Sequence, residues 1–101
     1  MSTKVLVENA KVRFNHNESR LYLIEKYKNK LTLSHGGGMW NITAEFLGYL
    51  ASSKKDELIL LDSFSNPIKV NRLDFLTEMT EKYEYLMEEW YKEYTELSTQ
   101  R

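Results

Sequence analysis

Residues Asn71 to Leu97 read as one uninterrupted amphipathic helix, and its length limits how a chain of 101 residues can fold. At about 1.5 Å per residue, a helix of about 27 residues is roughly 40 Å long. A compact domain of about 100 residues has a radius of gyration near 13 Å, so it spans roughly 34 Å if treated as a sphere. The end of the helix therefore overhangs a body of that size.

Local signals mark where this helix starts. Asn71 is a good N-cap, because its side-chain oxygen can accept from a backbone N–H of the first turn. Asp74 follows at a capping-box-like spacing, and Val70 and Phe75 have the spacing of a hydrophobic staple. Placed at about 100° per residue, Leu76, Met79, Tyr83, Leu86, Met87, Trp90, Tyr94 and Leu97 share one face. Glu78, Glu81, Tyr85, Glu88, Glu89, Lys92 and Glu96 share the other. Glu78–Lys82 and Glu88–Lys92 are favourable i,i+4 pairs, while Glu84–Glu88 and Glu89–Glu93 oppose them by similar amounts. Charge alone does not hold the helix, so its apolar stripe must be buried.

The overhang holds Trp90, Tyr91, Tyr94 and Leu97, and an exposed apolar patch of that kind usually marks an interface. The preferred reading is self-association, most simply as a dimer, through Tyr83, Leu86, Met87, Trp90, Tyr94 and Leu97. A second reading keeps the stripe inside the chain as core under a sheet, with a frayed tail after Leu97. A third makes the chain an adapter that binds a host or viral protein through the same stripe. The run Leu76-Met79-Tyr83-Leu86-Trp90 steps 3-4-3-4 and is then broken by the step of four to Tyr94. It suggests helix-pair packing, not a long coiled coil.

Length predicts a single domain over 1–101, with a mixed α/β body over 1–70 and the long helix over 71–98. Charged residues at 29% and apolar residues at 42% argue against disorder. The chain has no Cys, which excludes thiol catalysis and thiolate metal sites and fits a reducing compartment. No apolar run approaches transmembrane length, and Met1-Ser2-Thr3-Lys4-Val5 lacks the h-region of a signal peptide, so the expected location is the cytoplasm. Residues 1–70 carry 10 Lys/Arg against 7 Asp/Glu, and residues 71–101 carry 4 against 8. The basic part could dock on the acidic helix of a neighbouring copy. A balance of +3 is too weak to suggest nucleic-acid binding.

Along the body, Val5-Leu6-Val7 and Val12-Arg13-Phe14 are short strand candidates, and Asn15-His16-Asn17 is a turn cluster. Glu18 to Lys28 can be a buried strand or a helix. The helix is preferred, with Asn17 as cap and Lys26, Lys28 and Lys30 at the end that the dipole favours. Leu31-Thr32-Leu33-Ser34 and Met39-Trp40-Asn41-Ile42 predict a hairpin across the glycines. Ala44 to Ser52 predicts a helix with Ile42, Phe46, Leu47 and Leu50 inward. Glu57-Leu58-Ile59-Leu60-Leu61 reads as a buried strand, Ser63 to Pro67 as a turn, and Ile68-Lys69-Val70 as an antiparallel return strand. The order predicts an α+β fold: a small, mostly antiparallel sheet, two short helices and one long C-terminal amphipathic helix.

The candidate sites are few. His35-Gly36-Gly37-Gly38 has the pattern of an oxyanion-binding HGGG loop, but that chemistry needs a nucleophile elbow that this chain lacks. It also lacks the Gly-Lys-Ser/Thr of a phosphate loop. The glycines are expected to serve a turn, a bulge or a close backbone approach. A ligand loop of His35, Gly36, Gly37, Gly38 and Trp40 is the alternative, for a small binding protein or enzyme. His16 and His35 have no partner at metal-ligand spacing. Asp56, Glu57 and Asp62 flank a strand, where an acid–base pair competes with an ordinary charged boundary. Lys26, Lys28 and Lys30 with Tyr22 and Tyr27 form a small basic-aromatic patch, read as a solvated helix end. No catalytic residue, cofactor or metal site is assigned.

Gly36-Gly37-Gly38-Met39-Trp40-Asn41-Ile42-Thr43-Ala44-Glu45 and Asn66-Pro67-Ile68-Lys69-Val70-Asn71-Arg72, running into an acidic helix, resemble small proteins encoded by tailed bacteriophages. That resemblance covers about a quarter of the chain. It implies an accessory or virion-associated protein in the infected bacterial cytoplasm and carries no activity. With it, the sequence reads as a non-enzymatic, self-associating accessory protein.

Overall fold

The chain contains no Gly before Gly36 and no Pro before Pro67, so no residue in its first third breaks a helix. In the computed structural model, which describes residues 3–99 and the side chains of 17–98, that third is one helix, α1 (Thr3–Lys30). The strand candidates at 5–7 and 12–14 and the turn at 15–17 are therefore corrected: all three are helical. β-branched and Asn residues cost only about 0.5–0.7 kcal/mol each against Ala in a helix, so they weaken a helix without breaking it. The segment 18–28 is helical, as preferred, and Lys28 and Lys30 sit in the last turn of α1.

The rest of the chain adopts the expected order: β1 (Thr32–His35), β2 (Gly38–Asn41), α2 (Ala44–Ser52), β3 (Glu57–Leu61), β4 (Pro67–Asn71) and α3 (Arg72–Thr99). The fold is α+β. Its strands form two separate antiparallel hairpins, β1–β2 and β3–β4, and α1 is as long as α3, so only α2 is short. In β1–β2, Leu33 faces Trp40; in β3–β4, Leu58 faces Val70. Leu33, Trp40, Ile42, Leu50, Leu58, Val70, Phe75 and Met79 form the body core. β3 is not the buried strand its composition suggests. Only one face of the hairpin meets the core, so Ile59, at 72% exposure, and Leu61 lie on the open face.

Asp62 joins the two hairpins. Its carboxylate accepts the backbone N–H groups of Phe64 (3.0 Å) and Asn66 (2.9 Å) within the β3–β4 turn, and that of Met39 (3.2 Å) on β2. The Ser63 N–H donates back to the Met39 carbonyl at 2.7 Å. These donors, the Asn66 amide foremost, hold the Asp62 carboxyl below its ordinary value of 3.8.

α3 starts as its sequence specifies. Asn71 Oδ1 accepts from the Asp74 N–H at 3.0 Å, and Val70 and Phe75 meet in the core. Arg72 ties this end to α2, donating to the carbonyls of Lys55 (2.8 Å) and Leu50 (3.1 Å).

These caps and turns yield two tests. Asn71→Ala should cost about 1 kcal/mol of stability in chemical denaturation, the ordinary worth of such a cap. A carboxylate with a depressed folded pKa stabilises the fold above its ordinary value and loses that contribution as pH falls through the folded value. Asp62→Asn should therefore lower the melting temperature at neutral pH, and the gap to wild type should narrow as pH falls below 3.8. A gap that stays constant into acid would remove the charge from this account.

Candidate functional site

The distal half of α3 is where the sequence places an interface, and the structure divides its stripe lengthwise. α1 packs antiparallel along one edge. Leu23 and Tyr27 of α1 bury against Leu86, with Leu31, Trp90 and Leu97 packed around them. The rings of Tyr27 and Trp90 are stacked, 5.4 Å between centroids and 6° between planes. Such aromatic pairs contribute about 0.5–1.5 kcal/mol beyond their buried area.

An ion pair closes this seam: Lys26 Nζ lies 2.7 Å from Glu93 Oε1. The Lys26 ammonium holds Glu93 below its ordinary value, and Glu93 in turn holds Lys26 above its own. Burial, and after it the Glu93 carboxylate, pushes the Tyr27 phenol above 10.0. The ammonium groups of Lys26 and Lys30 each lie 5.5 Å from the centre of the Tyr27 ring. The basic-aromatic patch thus has its central tyrosine buried and one of its lysines paired within the chain.

The expected interface residues therefore separate. Leu86 is buried against α1, Leu97 and Trp90 are half-buried there, and Tyr83 is half-buried against the body core. Met87, at 37% exposure, and Tyr94 stay open. The residue missing from the expected set is Tyr91, which is 68% exposed. Met87, Trp90, Tyr91 and Tyr94 together line a shallow, open, almost wholly apolar groove. At about 100° per residue Met87, Tyr91 and Tyr94 fall within roughly 60° of one another, on the shoulder of α3 that α1 leaves uncovered.

The glycine loop is built as a turn. Gly36 (φ 60°) and Gly37 (φ 86°) both adopt the left-handed conformation, as the two central positions of a two-residue hairpin require. Gly38 serves close packing instead. A Cβ there would lie 3.1 Å from Asp62 Cβ, 3.2 Å from Ile68 Cγ1 and 3.2 Å from Trp40 Cζ2. Trp40 is 2% exposed and donates from Nε1 to the His35 carbonyl at 2.9 Å, so its ring is core. His35 stacks on Phe75, and its Nδ1 lies 2.6 Å from Glu78 Oε2.

The carboxylates around β3 are not brought together. Asp62 is committed to backbone amides, and Glu57 pairs with Lys69 at 2.9 Å from the other end of the strand. Among the described residues no group of three or more His, Cys, Asp or Glu could hold a metal ion, and no helix is long and apolar enough to cross a membrane. Comparison with protein-family models, with curated proteins and with solved structures finds no match to this chain.

The glycines give a pair of contrasting expectations. Gly38→Ala should destabilise by about 1–3 kcal/mol through overpacking. Gly37→Ala meets no atom within 4 Å and should cost only the left-handed backbone, about 1–2 kcal/mol. Far-ultraviolet melts of both variants, with near-ultraviolet dichroism as a reporter of Trp40, distinguish them: only Gly38→Ala should disturb the Trp40 signal.

Proposed function

We propose that this chain is a non-enzymatic accessory protein that self-associates through the open shoulder of α3. The observation that carries this reading is the groove of Met87, Trp90, Tyr91 and Tyr94, which stays open after α1 has covered the neighbouring edge of the stripe. Tyr and Trp are the residue types that interfaces favour, because they combine a large apolar ring with a polar tip.

The occupant that best fits the groove is a second copy running antiparallel. A two-fold axis beside Met87 and Tyr91 sets each Met87 against the Tyr91 of the other copy, a favourable sulfur–aromatic contact. The same register sets each Tyr94 hydroxyl, a donor, against the Glu84 carboxylate of the other copy. Acidic residues that would otherwise repel are met by phenols, and such a contact is self-complementary, as a two-fold interface must be. The resemblance to phage-encoded proteins supports an accessory or virion-associated role in an infected bacterium.

The test uses light scattering together with tryptophan emission. Trp90 borders the groove whereas Trp40 is sealed in the body, so assembly should shift emission to the blue as concentration rises. Tyr91→Ala with Tyr94→Ala removes four rings from a two-fold interface and should weaken association about a hundredfold or more. Emission independent of concentration into the high micromolar range would sink the proposal. So would an unchanged transition in the double variant.

A further inference from the structure

α1 is 28 residues long, but α3 accompanies only its second half. Tyr27 opposes Trp90 and Lys26 opposes Glu93, an antiparallel register in which Thr99, the last residue of α3, falls opposite about residue 19. About 16 residues at the start of α1, roughly 24 Å at 1.5 Å per residue, run past α3.

Along α1 a second row of positions, separate from the Leu23–Tyr27 row, repeats with alternating steps of three and four. Positions 7, 10, 14, 17, 21, 24 and 28 carry Val, Ala, Phe, Asn, Leu, Ile and Lys. That is the a/d spacing of a coiled-coil seam, sustained over three heptads. At about 100° per residue the row is centred roughly 110° round the helix from Tyr27, away from the face that meets α3. The described members agree: Leu21 is 53% exposed, Asn17 and Lys28 are exposed, and Ile24 is half-buried.

The flanking charges select the occupant. In a parallel coiled coil each g position faces the next e position of the other strand. Here Arg13 and Arg20 hold g positions, and Glu18 and Glu25 hold the e positions after them. Two copies running in the same direction, in register, place Arg13 opposite Glu18 and Arg20 opposite Glu25, twice each. Antiparallel copies would face g with g and set Arg13 against Arg20. Asn17 stands mid-row at a d position, a polar inner residue that costs stability, and Lys28 is the kind of a-position residue that fixes register. The Arg20 guanidinium already lies along the seam, donating to Asn17 Oδ1 at 3.2 Å.

We propose that α1 pairs with α1 of a second copy as a short, parallel, in-register coiled coil over residues 7–28. This interface does not rest on the α3 shoulder, and the two can be tested separately. Because the native chain has no Cys, single cysteines report it in the full-length protein. Asn17→Cys sits on the seam and should oxidise readily to a disulfide-linked dimer. Tyr22→Cys, 65% exposed on the outer side, should not.

By analytical ultracentrifugation Leu21→Lys should weaken the α1 pairing about a hundredfold or more. Arg20→Glu should weaken it about tenfold, and adding Glu25→Arg should restore it, with circular dichroism confirming that each variant stays folded. Equal cross-linking at positions 17 and 22, or none at either, overturns the proposal. So does a failure of the swapped pair to restore association. A row that serves a helix of another protein would leave the isolated Asn17→Cys chain without the disulfide cross-link, which overturns it as well. None of these readouts depends on Trp90 emission, so failure here and failure at the α3 shoulder are distinguishable.

Discussion

The stack of Tyr27 on Trp90 is the contact on which the rest of the arrangement depends. The body core of Leu33, Trp40, Leu50, Leu58, Phe75 and their neighbours holds α3 only as far as Met79 and Tyr83. Beyond that point α3 has nothing of the body to lie on, and α1 is joined to the body core through Leu31, one residue past its end. The stack, within the cluster of Leu23, Tyr27 and Leu86 and with the Lys26–Glu93 pair at its edge, makes each helix the support of the other. The basic end of one helix meets the acidic end of the other within a single chain. The charge asymmetry of the sequence is thus used first inside the protein.

The body is organised by a different device. Two small hairpins that share no ladder are bound at their ends by one carboxylate, that of Asp62. Its amide donors come from its own turn and from β2. A two-stranded hairpin alone is marginal in water. Sealing two of them together around Trp40, with Gly38 pressed against Asp62, gives α2 and the first half of α3 a surface to cover.

Most of this body is legible in the sequence because its signals are local. Asn71 and Asp74 mark a helix start wherever they occur, α2 has the predicted bounds, and the two positive-φ glycines make the hairpin turn. The N-terminal third is not legible, because Val5-Leu6-Val7 and the Asn15–Asn17 cluster carry only weak local preferences, which do not decide between strand, turn and helix. Nothing near Val5 in sequence announces that Trp90 will hold the other end of its helix. The same blindness affects the candidate interface. The width of the stripe on α3 is plain from its periodicity, but which edge stays open depends on where α1 lies. Tyr91, legible in the overhang but left out of the expected interface set, joins the groove only once that edge is defined. Ile59 and Leu61 mislead for a simpler reason: a run of apolar residues does not reveal that only one face of its hairpin is packed.

The partners in the Tyr27–Trp90 stack come from the first and last helices of the chain. The hairpins form between neighbours in sequence, and α2 meets α3 across a short separation, so the body can assemble from local encounters. The helix pair instead requires closing a loop that contains the whole body, from Tyr27 to Trp90. The tail of α3 then acts as a latch over α1, closed by the Tyr27–Trp90 stack and the Lys26–Glu93 pair. A chain truncated shortly after Leu86 would keep its body and lose the latch, leaving Tyr27 without its cover.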